Sequence, residues 1–258
     1  MIFGITVTKL VFVSVAMFIA GFIDSIAGGG GCISLPAYLL TGLPTVSAIA
    51  CNKTSACIGT SVATVKFLKN GKLNVKVTII SAICGIVGSS IGARILLQMD
   101  PVLLQKIIIC IIPFVALFLI VKKDFGNKNE HDTIPLIRVW IISIITGFIL
   151  GLYDGLIGPG TGTFAILVFT LALKFDLKTA SGNAKLLNLC TGIGAVIQYV
   201  LSGVIVWPIV VCTTLADIAG NYIGSSLALK KNSSFIRIIM LVVVAILLAK
   251  LAIDVFVK

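Results

Sequence analysis

The sequence predicts an all-α polytopic membrane protein made of two inverted-topology repeats, each a broken helix forming a re-entrant hairpin followed by three transmembrane helices. Three observations carry that prediction. The first is composition: 258 residues are 59% hydrophobic and only 11% charged, with a mean hydropathy of +1.18. A soluble domain carries about 25% charged residues and about 45–50% apolar ones. So few charges cannot wet a globule of this size, which excludes a soluble enzyme, a secreted disulfide scaffold and a disordered chain. The second observation is an internal repeat, and the third is the charge of the loops.

The repeat is visible in the polar and glycine residues. Asp24 followed by Gly28-Gly29-Gly30-Gly31 reappears as Asp154 followed by Gly158-Pro159-Gly160-Thr161-Gly162. Gly21-Phe22-Ile23 matches Gly147-Phe148-Ile149, and Asn52-Lys53 matches Asn183-Ala184-Lys185. Further on, Phe67, Gly71, Gly88 and Gly92 correspond to Tyr199, Gly203, Gly220 and Gly224. A first repeat over 1–125 and a second over 134–258 are therefore expected, joined by a hydrophilic linker loop at 126–133.

Each half divides into the same pieces. A long apolar helix, 5–26 or 134–157, runs into a glycine cluster that unwinds it. Met1 to Ile5 has no basic lead-in and no small-residue cleavage site follows, so the first of these runs is expected to stay as a helix. Next comes a short apolar segment, 32–43 or 163–173. At about 20 residues per crossing it cannot span, and it fits half of a re-entrant hairpin. Three spans follow in each half: 48–67, 75–97 and 102–121, then 184–201, 207–229 and 235–257.

Loop charge sets the orientation. The loop 66–76 holds four lysines and its repeat partner 202–207 holds none. Basic loops face the cytoplasm, so equivalent loops lie on opposite faces and the halves are inverted. Loops 122–138 and 230–237 fall on the same inner side, with both termini outside. The net charge of +11 is spread through such loops, so no nucleic-acid partner is expected. The seven cysteines sit in apolar runs without a CxxC pair and read as small lipid-compatible side chains, with no metal and no cofactor implied. The one histidine, His131, reads as solvated in the linker region.

Ionisable residues inside apolar runs cost about 2.5–3.5 kcal/mol each on insertion scales and need a reason. Asp24, Asn52, Lys53, Asp154, Asn183 and Lys185 all lie at matched positions beside a helix break, and Asp217, whose counterpart is Gly85, stands apart. Inverted repeats with interrupted helices place a substrate site at the midplane. Two half-helix N-termini facing each other there form a cradle for an anion. The candidate substrate-binding residues are Gly29, Gly30, Gly31, Asn52, Lys53, Thr54, Gly160, Thr161, Gly162, Asn183 and Lys185. For Asp24 and Asp154 two roles are open: carrying a coupling ion, or capping and pairing. For the lysines the bland alternative is snorkelling to the headgroups. Gly158 to Gly162 lacks the Lys-Ser/Thr of a nucleotide-binding loop. Glu130 and His131, both in the linker region, leave little from which to build an enzyme.

The runs from Gly21 to Gly31 and from Tyr153 to Gly162, with the Asn52-Lys53 pair, resemble the TauE/SafE family of membrane permeases. The resemblance covers both halves in order, and departs mildly at Cys51, where threonine is common. It implies a prokaryotic plasma-membrane, multi-pass carrier for small sulfur-containing anions, sulfite or organosulfonates such as sulfoacetate, and not an enzyme. The alternatives are an anion channel, or a permease for another small organic anion such as a carboxylate. The expected partners are the anion and the lipid bilayer. A homo-oligomer stays open, because its interface would use the same apolar residues that face lipid.

Overall fold

The computed structural model describes residues 6–100 and 129–242. The expected span 102–121, the first part of the linker and most of 235–257 lie outside the described residues. The elements are α1 (Val7–Ala27), α2 (Gly31–Leu39), α3 (Thr45–Lys69), α4 (Val75–Gln98), a 3-10 turn (His131–Thr133), α5 (Leu136–Leu156), α6 (Thr161–Leu171), α7 (Leu177–Ser202), α8 (Trp207–Lys230) and α9 (Ser233–Val242). Among the described residues there is no strand.

Local chemistry explains the breaks. α1 ends where Gly28 and Gly29 adopt φ of +72° and +91°, a region costly for any residue with a Cβ. α5 ends likewise before Gly158 and Gly160, at φ +88° and +86°. α7 starts at Asp176, whose carboxylate accepts from the Lys178 and Thr179 N–H groups. Asn74 caps α4 in the same way through the N–H of Val77. α8 opens with Pro208, which needs no donor there.

The short helices turn back along the long ones. Lys9 near the start of α1 donates to the Thr41 carbonyl beyond the end of α2, so α2 returns along α1. The two hairpin tips meet: a Cβ on Gly28 would overlap the Gly162–Thr163 backbone, and Thr163 Oγ1 donates to the Ala27 carbonyl at 3.1 Å.

The long helices pack crosswise. α1 lies against α8 and α5 lies against α4, while α3 and α7 face each other in the centre. Small residues make the seams. A Cβ on Gly220 would meet the backbone at Phe18 and Phe22, and one on Gly88 would meet the backbone at Phe148 and Leu152. Phe18 and Phe22 stand to Asp24 as Phe148 and Leu152 stand to Asp154. By packing, Gly21, which lies against Asp217, corresponds to Gly151, which lies against Gly85. That is one turn on from Gly147, the match suggested by letters alone.

Among the described residues, four helices, α1, α4, α5 and α7, are long and apolar enough to cross a membrane. Their outer faces are apolar: Val11, Val15 and Ile19 on α1, and Ile79, Ile83, Val87, Ile91 and Ile95 on α4, are exposed at helical spacing. α3 and α8 were expected as spans too and are long enough, at 25 and 24 residues. Both fall below that apolarity because their buried faces carry the polar residues of the interior, Asn52, Thr54 and Ser55 on α3 and Thr213, Asp217 and Asn221 on α8.

One expectation is corrected. His131 is half-buried and docked, not free in solvent: its ring stacks on Phe175 at 4.0 Å, and its Nδ1 lies 2.9 Å from the Leu173 carbonyl. Glu130 N–H donates to the Lys174 carbonyl, so this end of the linker docks on the loop between α6 and α7.

Candidate functional site

Two ion pairs tie the halves of the chain together at the helix breaks. Lys53 Nζ of α3 lies 2.6 Å from Asp154 Oδ1 at the end of α5, and Lys185 Nζ of α7 lies 2.6 Å from Asp24 Oδ2 at the end of α1. Each pair takes its lysine from one repeat motif and its aspartate from the other. In a buried setting such pairs hold only when the remaining lone pairs are also satisfied. They are: Asp154 Oδ2 accepts from Thr191 Oγ1 at 2.7 Å, and Asp24 Oδ1 accepts from the Gly30 N–H at 3.3 Å.

Between the pairs lies a cavity of about 60 Å³. Its wall includes Asp24, Gly29, Gly30, Gly31, Asn52, Lys53, Asp154, Gly160 and Gly162 of the residues expected from sequence. The others lie off this wall. Thr54 and Thr161 turn their hydroxyls back to the Ala50 and Gly158 carbonyls. Lys185 is fully buried behind its partner Asp24. Asn183 accepts from the Asn74 N–H at 2.8 Å and so fixes the loop between α3 and α4.

The matched halves differ in ways that decide chemistry. On the α2 side, the Asp24 carboxylate accepts from the Gly30 N–H, so an acidic side chain lies just before that N-terminus. The N-terminus of α6 has no side-chain cap, and the first N–H groups of a helix have no acceptor within it. Lys53 reaches over this second break, because a Cβ on Gly158 would overlap its Nζ. Lys53, on the cavity wall, is the accessible cation, and Lys185 is the enclosed one.

The wall also contains Cys57, Thr60, Asn188, Gly192 and Asn221, which motif matching passed over, and Asp217, which the sequence set apart for want of a repeat partner. Asn188 sits one turn beyond Lys185 on α7 and corresponds to Ala56, so it has no repeat partner to flag it. Cys57 carries a free thiol on the wall, where sequence suggested only a small apolar filler. The Oδ1 atoms of Asn52 and Asn188 are buried without a donor. A buried polar atom left unpaired costs about 1–3 kcal/mol, and native proteins keep few of them. Two unpaired acceptors on one cavity wall mark a surface that must meet a donor, which water supplies.

Asn183 gives a discriminating test within this set. Asn183→Ala removes the acceptor for Asn74 N–H and will cost about 1–2 kcal/mol of stability. Anion-dependent stabilisation of the purified protein should survive. Its loss in a folded variant would return Asn183 to the site.

An apolar-skinned helical assembly with paired charges and a polar cavity at its helix breaks is a multi-pass membrane protein with an internal polar site. The family model described as sulfite exporter TauE/SafE matches residues 13–251, and the chain belongs to that family of membrane transporters. A probable membrane transporter protein, ORF9, of Sinorhizobium sp is 32% identical over 240 residues, covering 93% of this chain and 90% of its own. The probable membrane transporter protein YfcA of Escherichia coli K12 is 31% identical over 92% of this chain and 87% of its own. A probable membrane transporter protein of Haemophilus influenzae is 28% identical over 92% of both. No solved structure matches the chain.

Proposed function

We propose that the protein is a secondary carrier of small sulfur-containing anions, sulfite or an organosulfonate, working by alternating access around the cavity at its two helix breaks. The observation that carries this reading is the crossed pairing of Lys53 with Asp154 and Lys185 with Asp24 around that cavity. The crosswise packing of α1 on α8 and α5 on α4 supports two inverted repeats, since such repeats exchange equivalent contacts. Loop charge supports a cytoplasmic side at 66–76 and 230–237 with both termini outside, in the plasma membrane of a prokaryote.

The anion would sit at the uncapped N-terminus of α6, with Lys53 above it and the amides of Asn52 and Asn188 alongside. A sulfonate or sulfite group has three acceptor oxygens, which backbone N–H groups, amides and one ammonium can satisfy without a metal. The sulfur preference comes from the description of the family, and a small carboxylate would use the same donors.

Thermal unfolding of the purified protein against sulfite, sulfate, thiosulfate, taurine, isethionate, sulfoacetate, acetate and chloride tests this. A ligand of the folded state raises the midpoint, contributing about 2.7 kcal/mol at one hundred times its Kd. A selective rise with one sulfur anion, followed by saturable flux in liposomes, is the expected result. A rise with acetate alone would replace the substrate class, flux that never saturates would favour a channel, and no rise with any anion would remove the cradle.

A further inference from the structure

The site holds more carboxylates than cations. Asp24 and Asp154 are matched by Lys185 and Lys53, and the third carboxylate on the wall, Asp217 of α8, has no cation within ion-pair reach among the described residues. Asp217 is 2% exposed. Its Oδ2 accepts from Asn221 Nδ2 at 3.1 Å, one turn along the same helix. α1 and α3 leave room for it with glycines, since a Cβ on Gly21 or Gly59 would overlap the carboxylate. The titratable groups around it are Asp24 from α1, Tyr38 from α2 and Lys185 from α7, and Lys53 and Cys57 of α3 and Asp154 of α5 share the cavity wall with it.

A lone carboxylate in a dry interior is among the most costly groups a membrane protein can hold. A second and independent observation shows that something is meant to bind beside it. Asn221 is 1% exposed, lies on the same cavity wall, and its Oδ1 has no donor. A hard metal cation gathers several oxygen ligands, and beside the Asp217 carboxylate only the Asn221 Oδ1 is free to serve, since α1 and α3 meet it with glycines. A proton needs one oxygen only.

We propose that Asp217 binds the proton that travels with each anion, a conclusion that rests on the carrier reading above. A proton from one aqueous side forms an O–H bond with a carboxylate oxygen of Asp217; on the other side the same bond breaks and the proton returns to water. Charge closes around this step. Three carboxylates and two lysines leave the empty site at one negative charge. Protonation of Asp217 brings it to zero, and a bound monoanion restores one negative charge. Loaded and empty carriers then present the same charge to the membrane interior, so neither is penalised on reorientation. Asp217 corresponds to Gly85, so the first repeat has no carboxylate at the matched position.

Two measurements on the full-length protein in lipid test this. Infrared spectra across a pH titration need no substrate. The expected result is the carbonyl band of a protonated carboxylic acid that disappears as pH rises and is missing in Asp217→Asn. Should that variant fail to insert, Asn221→Ala keeps the carboxyl and must shift the same band, because its hydrogen-bond donor is gone. A titration with no such band, or one unchanged in both variants, overturns the proposal. The second measurement is accumulation of labelled isethionate, a sulfonate that stays ionised at every pH used. In wild type an inward proton gradient should multiply accumulation, about tenfold per pH unit for one proton per anion, and in Asp217→Asn the ratio with and without the gradient should fall to one. A wild-type response to sodium alone, or a gradient response kept by Asp217→Asn, overturns it. Absence of isethionate flux in wild type counts against the sulfonate reading, and the infrared result then decides the proton site.

Discussion

Lys185→Ala will destabilise the protein by about 3–5 kcal/mol, because it leaves the half-buried Asp24 carboxylate without a countercharge and with only the Gly30 N–H as donor. The Lys185 side chain is fully buried, and its 2.6 Å contact is the only charge-neutralising partner Asp24 has among the described ion pairs. The same pair holds the end of α1 to α7, from opposite halves of the chain, so its loss also loosens the hairpin tip at Gly28. Asp24→Asn alone should be costly too, since it strands the ammonium. The double variant Lys185→Met with Asp24→Asn should recover most of the loss, because removing both partners strands neither. Unfolding midpoints of the four proteins in one detergent read this directly. Single variants within about 0.5 kcal/mol of wild type would show that the pair is an ornament of the fold.

Lys53→Ala should weaken anion binding by about two to three orders of magnitude, following the ~3–4 kcal/mol typical of truncating a buried, hydrogen-bonded charge at a binding surface. Its effect on folding should be smaller than that of Lys185→Ala. Lys53 borders the cavity, and Asp154 keeps the Thr191 hydroxyl as a donor when the ammonium is gone. The variant Lys53→Met with Asp154→Asn separates the two effects: it should regain stability and still fail to respond to the anion. Titrating the midpoint shift against whichever anion stabilises wild type gives the affinity. Wild-type affinity in Lys53→Ala would remove this lysine from the site and leave it as a strut between α3 and α5.

The two lysines carry the lesson about what could be read in advance. In the sequence they are equivalent, each shortly after an asparagine at the start of a span, each matched by the repeat. Periodicity and motif spacing see only that equivalence. The structure divides them because the two helix breaks are not filled alike: Asp24 at the end of α1 accepts from the Gly30 N–H just before α2, whereas Asp154 turns to Thr191 and leaves the start of α6 without a carboxylate. Asn183 shows the same limit from the other direction. It matches Asn52 by position, yet the Asn74 N–H claims it for the loop between α3 and α4.

Composition and patterning alone set the solvent and the class, and they carry a doubled order of polar and glycine residues. Those follow from quantities that do not depend on contacts: too few charges to wet a globule, apolar runs of bilayer length, glycines that cannot stay helical, and polar residues repeated in order. The sequence also placed both aspartates and both lysines among the residues that matter, because a charge inside an apolar run is costly enough to need a partner somewhere in the fold. Which partner was decided only by tertiary structure. The pairs cross from one half to the other, over separations of more than a hundred residues, and no local pattern encodes such a crossing. Nor does any pattern announce Asn188, and Asp217, visible as a charge in an apolar run, has no counterpart in the other half to place it at the breaks. They reach the cavity because α7 and α8 are rotated by their glycine seams against α4 and α1, and a helix face turns inward or outward according to what packs on its far side.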